Sequence, residues 1–276
     1  MRITVQALME ILEEIASFGL AETWDNVGLM VGDPEQDISG ILIALDPTEA
    51  LLAEAAEAGI NTLVTHHPLI FHPLKTVRTD QAVGRFLQRA LADRMTVIGC
   101  HTNLDLAGGG VNDVLANTVG LSDIKPLTHR SPAIGEKDSP LPAGFGRWGR
   151  LKPPMGGEDF LRHLLKVLSA SALAVAGPLP ATISTVAVCG GSGSELAEAA
   201  YLKGVQVYVT GEIKHSTARW AEACDFCVID AGHFATENPV VRALAVVLQK
   251  IIAEKNWNLK VVTATHQHDP FRYFQA

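Results

Sequence analysis

Two adjacent histidines, His66 and His67, close the apolar run TLVT and stand immediately before Pro68. Neutral imidazoles are ready ligands for divalent cations. In an extended chain neighbouring side chains point to opposite sides, so such a pair can serve two ions, or one ion and a supporting partner. The next apolar run, TVIG, passes into CHTNLD and supplies His101 and Asp105. A third run, CVID, passes into AGHFATENP, with His233 directly after the strand and Glu237 four residues on. If a helix begins near Phe234, that spacing turns both side chains to one site, and Pro239 suits an early helical position. Plainer readings exist: Asp105 as a turn or cap residue ahead of the glycines at 108 to 110, and Glu237 as a carboxylate at a helix N-terminus. The repetition favours ligands, because ligand sites in open α/β sheets form at the carboxyl ends of strands, whereas scattered core histidines have no reason to collect there. His101 stays open between ligand, orienting partner and loop hydrogen bond.

His66, His67 and His233 with Asp105 and Glu237 are too many ligands for one open catalytic zinc and too few to saturate two ions. A two-metal site with a bridging carboxylate and bridging solvent fits the set. Two divalent ions outweigh the charge of two carboxylates, so the site would attract an anionic substrate such as a phosphate. Imidazole with carboxylate suits Zn, Fe, Ni, Mn or Co without choosing among them. Glu212 and His215, where a strand passes into a helix, are candidates for the general acid or base of a hydrolysis, or for helix capping. VCGGSG at 188–193 reads as a tight turn or as backbone N–H groups facing an anion; it lacks the GK[ST] of a nucleotide P-loop. Cys224 and Cys227 have no second CxxC and read as ordinary thiols.

These residues need rigid strands to hold them. Val5, Leu8, Ile11, Leu12 and Ile15 recur at helical spacing, so the chain opens on an amphipathic helix. Short β-branched runs at 41–45, 62–67, 96–105, 185–191, 205–212, 227–233 and 259–264 then alternate with Ala/Leu/Glu-rich helical segments. Strands apolar on both faces and separated by helices predict parallel sheets covered on both sides. Between Pro126 and Gly157, six prolines and six glycines in 32 residues erase the periodicity. The expected architecture is α/β, with two similar lobes of mostly parallel sheet. Residues 1–125 plus 234–276 form the first lobe, and 126–233 form the second with the Pro/Gly-rich excursion at 126–157.

Length agrees, since 276 residues correspond to about two domains at roughly 150 residues each. Apolar residues at 47% and charged residues at 19% exclude a disordered chain. A net charge of −8 without a basic block argues against nucleic acid as partner. Glu10, Glu13 and Glu14 interrupt what would be a signal peptide's apolar core, and no stretch approaches a membrane span. Four cysteines, three in apolar runs, fit a reducing compartment, so the expectation is a cytoplasmic protein with no membrane partner.

WDNVGLMVG (24–32), THHPLIF (65–71), HTNLD (101–105), VCGGSG (188–193), TGEIKH (210–215) and DAGHFATE (230–237) together resemble the Nif-three/YbgI-like dinuclear metal-centre proteins, also called GTP cyclohydrolase I type 2 homologues. The motifs run in the family's order over most of the chain. The resemblance implies two α/β lobes with a metal pair in the cleft between them, a toroidal homohexamer, and ligands at His66, His67, Asp105, His233 and Glu237, with Glu237 bridging. It also implies a metal-dependent hydrolase acting on a nucleotide or a related phosphorylated or heterocyclic substrate. A non-catalytic metal-binding, metal-handling or interaction factor is the alternative. Longer relatives carry an extra mid-chain domain where this chain has only the Pro/Gly-rich stretch.

Overall fold

The computed structural model describes residues 3–129 and 143–274. In chain order the elements are α1 (Val5–Ile15), β1 (Gly28–Val31), β2 (Gly40–Ala44), α2 (Glu49–Glu57), β3 (Thr62–Thr65), α3 (Ala82–Ala92), β4 (Thr96–Gly99) and α4 (Thr102–Leu106). There follow α5 (Val111–Val119), β5 (Leu121–Pro126), β6 (Arg147–Gly156), α6 (Gly157–Val167), β7 (Ala174–Ala176), β8 (Thr182–Val188) and α7 (Ala197–Leu202). The chain ends with β9 (Val207–Thr210), α8 (His215–Ala223), β10 (Cys227–Asp230), α9 (His233–Glu237), α10 (Pro239–Glu254) and β11 (Lys260–Thr263). No described helix is long and apolar enough to cross a membrane.

Two compact units emerge, one of residues 1–104 with 241–268 and one of 105–240 with 269–276. The sequence-based bounds at 125 and 233 differ from these for a physical reason. Strand β5 pairs antiparallel with β6, and α5 contributes Leu115, Ala116 and Val119 to the core beneath that sheet, so both belong with the second unit.

The first unit holds a five-stranded sheet in the order β1-β4-β3-β2-β11. Its three pairings from β4 to β11 run parallel, and β1 joins β4 antiparallel at the edge. Every residue of β2, β3 and β4 is buried, as strands covered on both faces require. Helix α1 starts where the Thr4 hydroxyl accepts the Ala7 N–H at 3.3 Å, and it buries Val5, Leu8, Ile11 and Leu12. Each such aliphatic side chain contributes about 1.5–3 kcal/mol on burial.

The second unit holds a six-stranded sheet in the order β5-β6-β8-β9-β10-β7. Parallel pairing is confined to β8-β9-β10, with antiparallel strands on both flanks. Alternate residues divide between two cores: Val186, Val188, Val207, Val209, Cys227 and Ile229 pack on one face, and Ala187, Tyr208 and Val228 on the other.

The stretch 126–157 is not wholly irregular. Residues 147–156 form β6, which the prolines hid; Pro153 and Pro154 fall where the pairing with β8 shifts register between Arg150 and Met155, so they displace no ladder donor there. Residues 130–142 of that stretch lie outside the described residues. Strand β6 opens on a buried cation. Arg147 is 1% exposed; its Nε and Nη2 donate to Asp113 at 2.8 and 2.7 Å, and Nη1 donates to the Gly144 and Gly146 carbonyls at 2.6 and 2.9 Å. Arg147→Met strips Asp113 and these carbonyls of their donor and is expected to cost about 3–5 kcal/mol, read as a lowered urea midpoint.

Candidate metal centre

In each unit the parallel strands deliver chemistry at their carboxyl ends. In the first unit Asp46 follows β2, His66 and His67 follow β3, and His101 follows β4. The backbone continues the sheet for one more step, with the His66 and His67 N–H groups donating to Ala44 and Leu45 at 3.1 and 2.8 Å, so neither histidine is on a loose loop. Ligand atoms of His66, His67 and His101 lie within 4.8 Å of one another, a group that can hold a metal ion.

The second nitrogen of each ring is engaged. His66 Nδ1 is 2.9 Å from the Cys100 carbonyl, which accepts only from a protonated Nδ1 and so leaves Nε2 as the basic atom. His67 Nδ1 is 2.7 Å from Asp46 Oδ1, and His101 Nδ1 is 2.8 Å from Asp25 Oδ1. An acceptor behind Nδ1 fixes the tautomer and ring orientation and raises the basicity of Nε2, the usual support of a metal-binding imidazole. Gln267 braces the Asp46 loop in turn: its Oε1 accepts the Leu45 N–H and, at 3.1 Å, the Asp46 N–H.

Asp25 is fully tied in. Its Oδ2 also accepts from the Thr102 N–H at 3.0 Å and the Thr102 hydroxyl at 2.5 Å. Burial works to raise its pKa, but the His101 and Thr102 hydrogen bonds outweigh that and hold the carboxyl at about 2. A depressed carboxylate pKa stabilises the fold above the unfolded value, and that contribution is lost as pH falls through about 2. Asp25→Ala is expected to cost about 1–3 kcal/mol at neutral pH by leaving buried donors unmet, with the gap to wild type narrowing between pH 4 and pH 2 in denaturant titrations.

In the second unit Gly190 and Gly191 follow β8, Glu212 follows β9, and His233 follows β10 as the first residue of α9. The helix starts one residue earlier than the sequence suggests, and its i, i+4 spacing still brings His233 Nε2 to 3.0 Å from Glu237 Oε2. Glu237 is 4% exposed. His233 Nδ1 is 2.9 Å from Glu212 Oε1, repeating the carboxylate-to-imidazole support of the first unit. Burial raises the Glu212 pKa, but hydrogen bonds from His233 and Ser192 prevail and the net shift is downward. Glu212 therefore stands as a charged orienting group for His233.

Asp105, on α4, is tied to this unit through its carbonyl, which accepts from Asn112 Nδ2 at 3.0 Å, while Asn112 Oδ1 accepts the Gly190 N–H at 3.0 Å. Burial pushes the Cys189 thiol far up, and the negative charges of Asp105 and Glu237 push it further, which puts both carboxylates in the field at that thiol. Cys100 is likewise raised to about 12 and Cys227 to about 11 by burial, whereas Cys224 is half-buried. Iodoacetamide at pH 8 is expected to label Cys224 and spare the other three thiols in the native protein, as read by mass spectrometry.

His215 belongs to none of the candidate ligand groups among the described residues. It opens α8 and lines a cavity of about 500 Å3 with Ala176, Pro178, Ala218, Arg219 and Glu222. The Gly-rich turn has a role the sequence did not reveal. Gly191 has φ +62°, and a methyl there would overlap Glu237 Oε1 and stand 3.2 Å from His233 Nε2. At Gly211 a methyl would stand 2.7 Å from His233 Cα. These glycines are the space in which the His233–Glu237 pair sits. Ser194 accepts the Lys214 N–H at 2.6 Å and donates to the Glu212 carbonyl at 3.0 Å, tying the turn to the Glu212 loop.

Asp46, Gln267 and Asn112 were not singled out in sequence. Asp46 had a signal, being an acidic residue just past an apolar run, like Asp105; Gln267 and Asn112 act through contacts remote in sequence and had none.

Residues 3–270 match the family model for Duf34/NIF3 (NGG1p interacting factor 3). A Clostridium acetobutylicum protein named GTP cyclohydrolase 1 type 2 homolog is 30% identical over 273 residues, covering 99% of this chain and 100% of its own length. One of the same name from Streptomyces coelicolor is 34% identical over 255 residues, covering 91% of this chain and 87% of its own. A Halalkalibacterium halodurans relative of that name aligns over 366 residues while taking up 97% of this chain, so it carries sequence that this chain lacks. Among solved structures, a Staphylococcus aureus hypothetical protein superposes with TM-score 0.91 at 28% identity, covering 99% of this chain and 100% of its own. A Bacillus cereus protein related to NIF3 shares the fold with TM-score 0.92 at 23% identity. A match over nearly the whole chain, joined by relatives of equal span, makes this chain a member of the Duf34/NIF3 family.

Proposed function

We propose that the chain is a divalent-metal-dependent hydrolase in which His66, His67, Asp105, His233 and Glu237 would together hold two ions, with Glu237 shared between them. The observation that carries this reading is the common support of the imidazoles: each of His66, His67 and His233 has an acceptor behind Nδ1, which aims a basic Nε2 outward from a strand end. When bound, a pair of divalent ions supplies Lewis-acid charge and lowers the pKa of water to near neutrality. The protein's part is to orient the imidazoles and to seat Glu237 in its glycine cradle. Excess positive charge at the ions favours an anionic substrate, and the names carried by the relatives support a nucleotide or a related phosphorylated or heterocyclic compound.

A hydrolysis panel of nucleotides, phosphoesters and cyclic amides, run with Zn-, Mn-, Fe-, Co- and Ni-loaded protein, tests the reading. Turnover of at least one compound should vanish in Asp105→Ala. A second reading, a metal-handling or interaction protein, is favoured by one observation: Glu212, a candidate proton carrier, is engaged with His233, and His215 lines another cavity. If the loaded wild type turns over nothing in the panel while stripping the metal unfolds it, this second reading replaces the first. Homo-oligomerisation, as a hexamer, belongs to the same proposal and is read by light scattering at six times the chain mass. Cytoplasmic residence is supported by the four cysteines, all unpaired.

A further inference from the structure

We propose that Trp24 and Phe71 form a stacking platform beside the histidines of the first unit, and that it receives a planar heteroaromatic ring of nucleobase size. The proposal rests on the metal-centre reading and names the part of the substrate that lies next to the ions.

Trp24 is 56% exposed and Phe71 38% exposed, although both belong to segments that the fold holds tightly. Trp24 is followed directly by Asp25, whose carboxylate is bound to His101 and Thr102. Asn26 Nδ2 donates to the Ile70 carbonyl at 2.5 Å, which staples the Trp24 loop to the segment carrying Phe71. The Glu22 N–H donates to the Thr102 hydroxyl at 3.0 Å, so the loop is fixed on both sides of Trp24. Exposed aromatic rings on a pinned backbone differ from a mobile tip: the fold spends hydrogen bonds to hold apolar surface in water, and gains nothing from it until something covers it.

The position identifies the occupant. The Trp24 and Phe71 centroids are 5.8 Å apart with planes at 56°, so the pair is an open corner rather than a closed sandwich. Both rings meet His101 edge-on, at 6.4 and 6.1 Å. His101 in turn lies 5.3 Å from His66 and 5.7 Å from His67, ring to ring. A flat group resting on the Trp24 or Phe71 ring therefore lies beside the histidine cluster. A flat π-face is what stacking rewards, and ring nitrogens or carbonyls on its edge are what a divalent ion attracts; a nucleobase offers both.

Trp24 fluorescence of the metal-loaded full chain, titrated with GMP, AMP and CMP against ribose 5-phosphate, tests this, with Trp24→Phe giving the background from the other three tryptophans. The nucleotides should quench and ribose 5-phosphate should not. By calorimetry, Trp24→Ala should weaken nucleotide binding by roughly 5- to 150-fold, the loss of one base–aromatic stack. Ribose 5-phosphate affinity and bound metal should stay unchanged, and Trp24→Phe should recover most of the binding. No nucleotide binding by wild type, equal nucleotide affinity in Trp24→Ala, or dissociation of the oligomer in that variant would each overturn the platform. Metal content and hydrolysis are measured on the same samples. Failure of the metal-centre reading shows separately, as an Asp105→Ala variant that keeps its metal.

Discussion

Glu237→Gln should lower divalent-metal affinity by at least about 100-fold, beyond the roughly 10- to 100-fold that follows from losing an orienting residue. The substitution keeps the shape and removes the charge. Glu237 is 4% exposed and its Oε2 is 3.0 Å from His233 Nε2, so the amide fits the same space while the carboxylate proposed to bridge the ions becomes a neutral group with one acceptor oxygen. Glu212→Gln provides the scale. It keeps an acceptor for His233 Nδ1 and loses only the charge behind it, so its effect should fall within the orienting range. Calorimetric titration of Zn or Mn into stripped protein reads both; near-equal affinities in wild type and Glu237→Gln would remove Glu237 from the ligand set.

Gly191→Ala should reproduce much of that loss without touching a ligand. At φ +62° an alanine costs about 1–2 kcal/mol in backbone strain, and its methyl would overlap Glu237 Oε1 and stand 3.0 Å from Cδ. Glu237 has little room to retreat, being 4% exposed. The carboxylate is expected to swing away from His233, with metal affinity down by about 10- to 100-fold, as for a lost supporting contact. Gly204 is the control. Its φ is +72° and nothing lies within 4 Å of an added methyl, so Gly204→Ala should carry the strain alone, with metal binding unchanged. If both alanines lower stability equally and neither affects metal, the glycine cradle has no role in holding Glu237.

The contrast between these glycines shows where the sequence was informative. VCGGSG was legible as a turn, since small residues after an apolar strand announce one, but its function depends on Glu237 arriving from 46 residues downstream. Strand-end histidines were legible because β3, β4 and β10 are short, β-branched and buried, although the runs read at 96–105 and 227–233 overshoot the strand ends at Gly99 and Asp230. Strand β6 was not, because a register shift tolerates its two prolines and no local signal announces a register shift. Helix α5 was passed over although Val111, Leu115 and Val119 keep helical spacing; the preceding glycines and its Asn, Asp and Thr residues masked it. Asp46 and Gln267 act by holding another side chain or loop, which depends on tertiary contact alone.

Anomalous diffraction at the metal edge from crystals of the loaded protein should show two peaks per chain about 3.5–4 Å apart, with Glu237 touching both and His66, His67, Asp105 and His233 completing the shells. A single peak, or peaks lying away from these five residues, would contradict the proposed two-ion site.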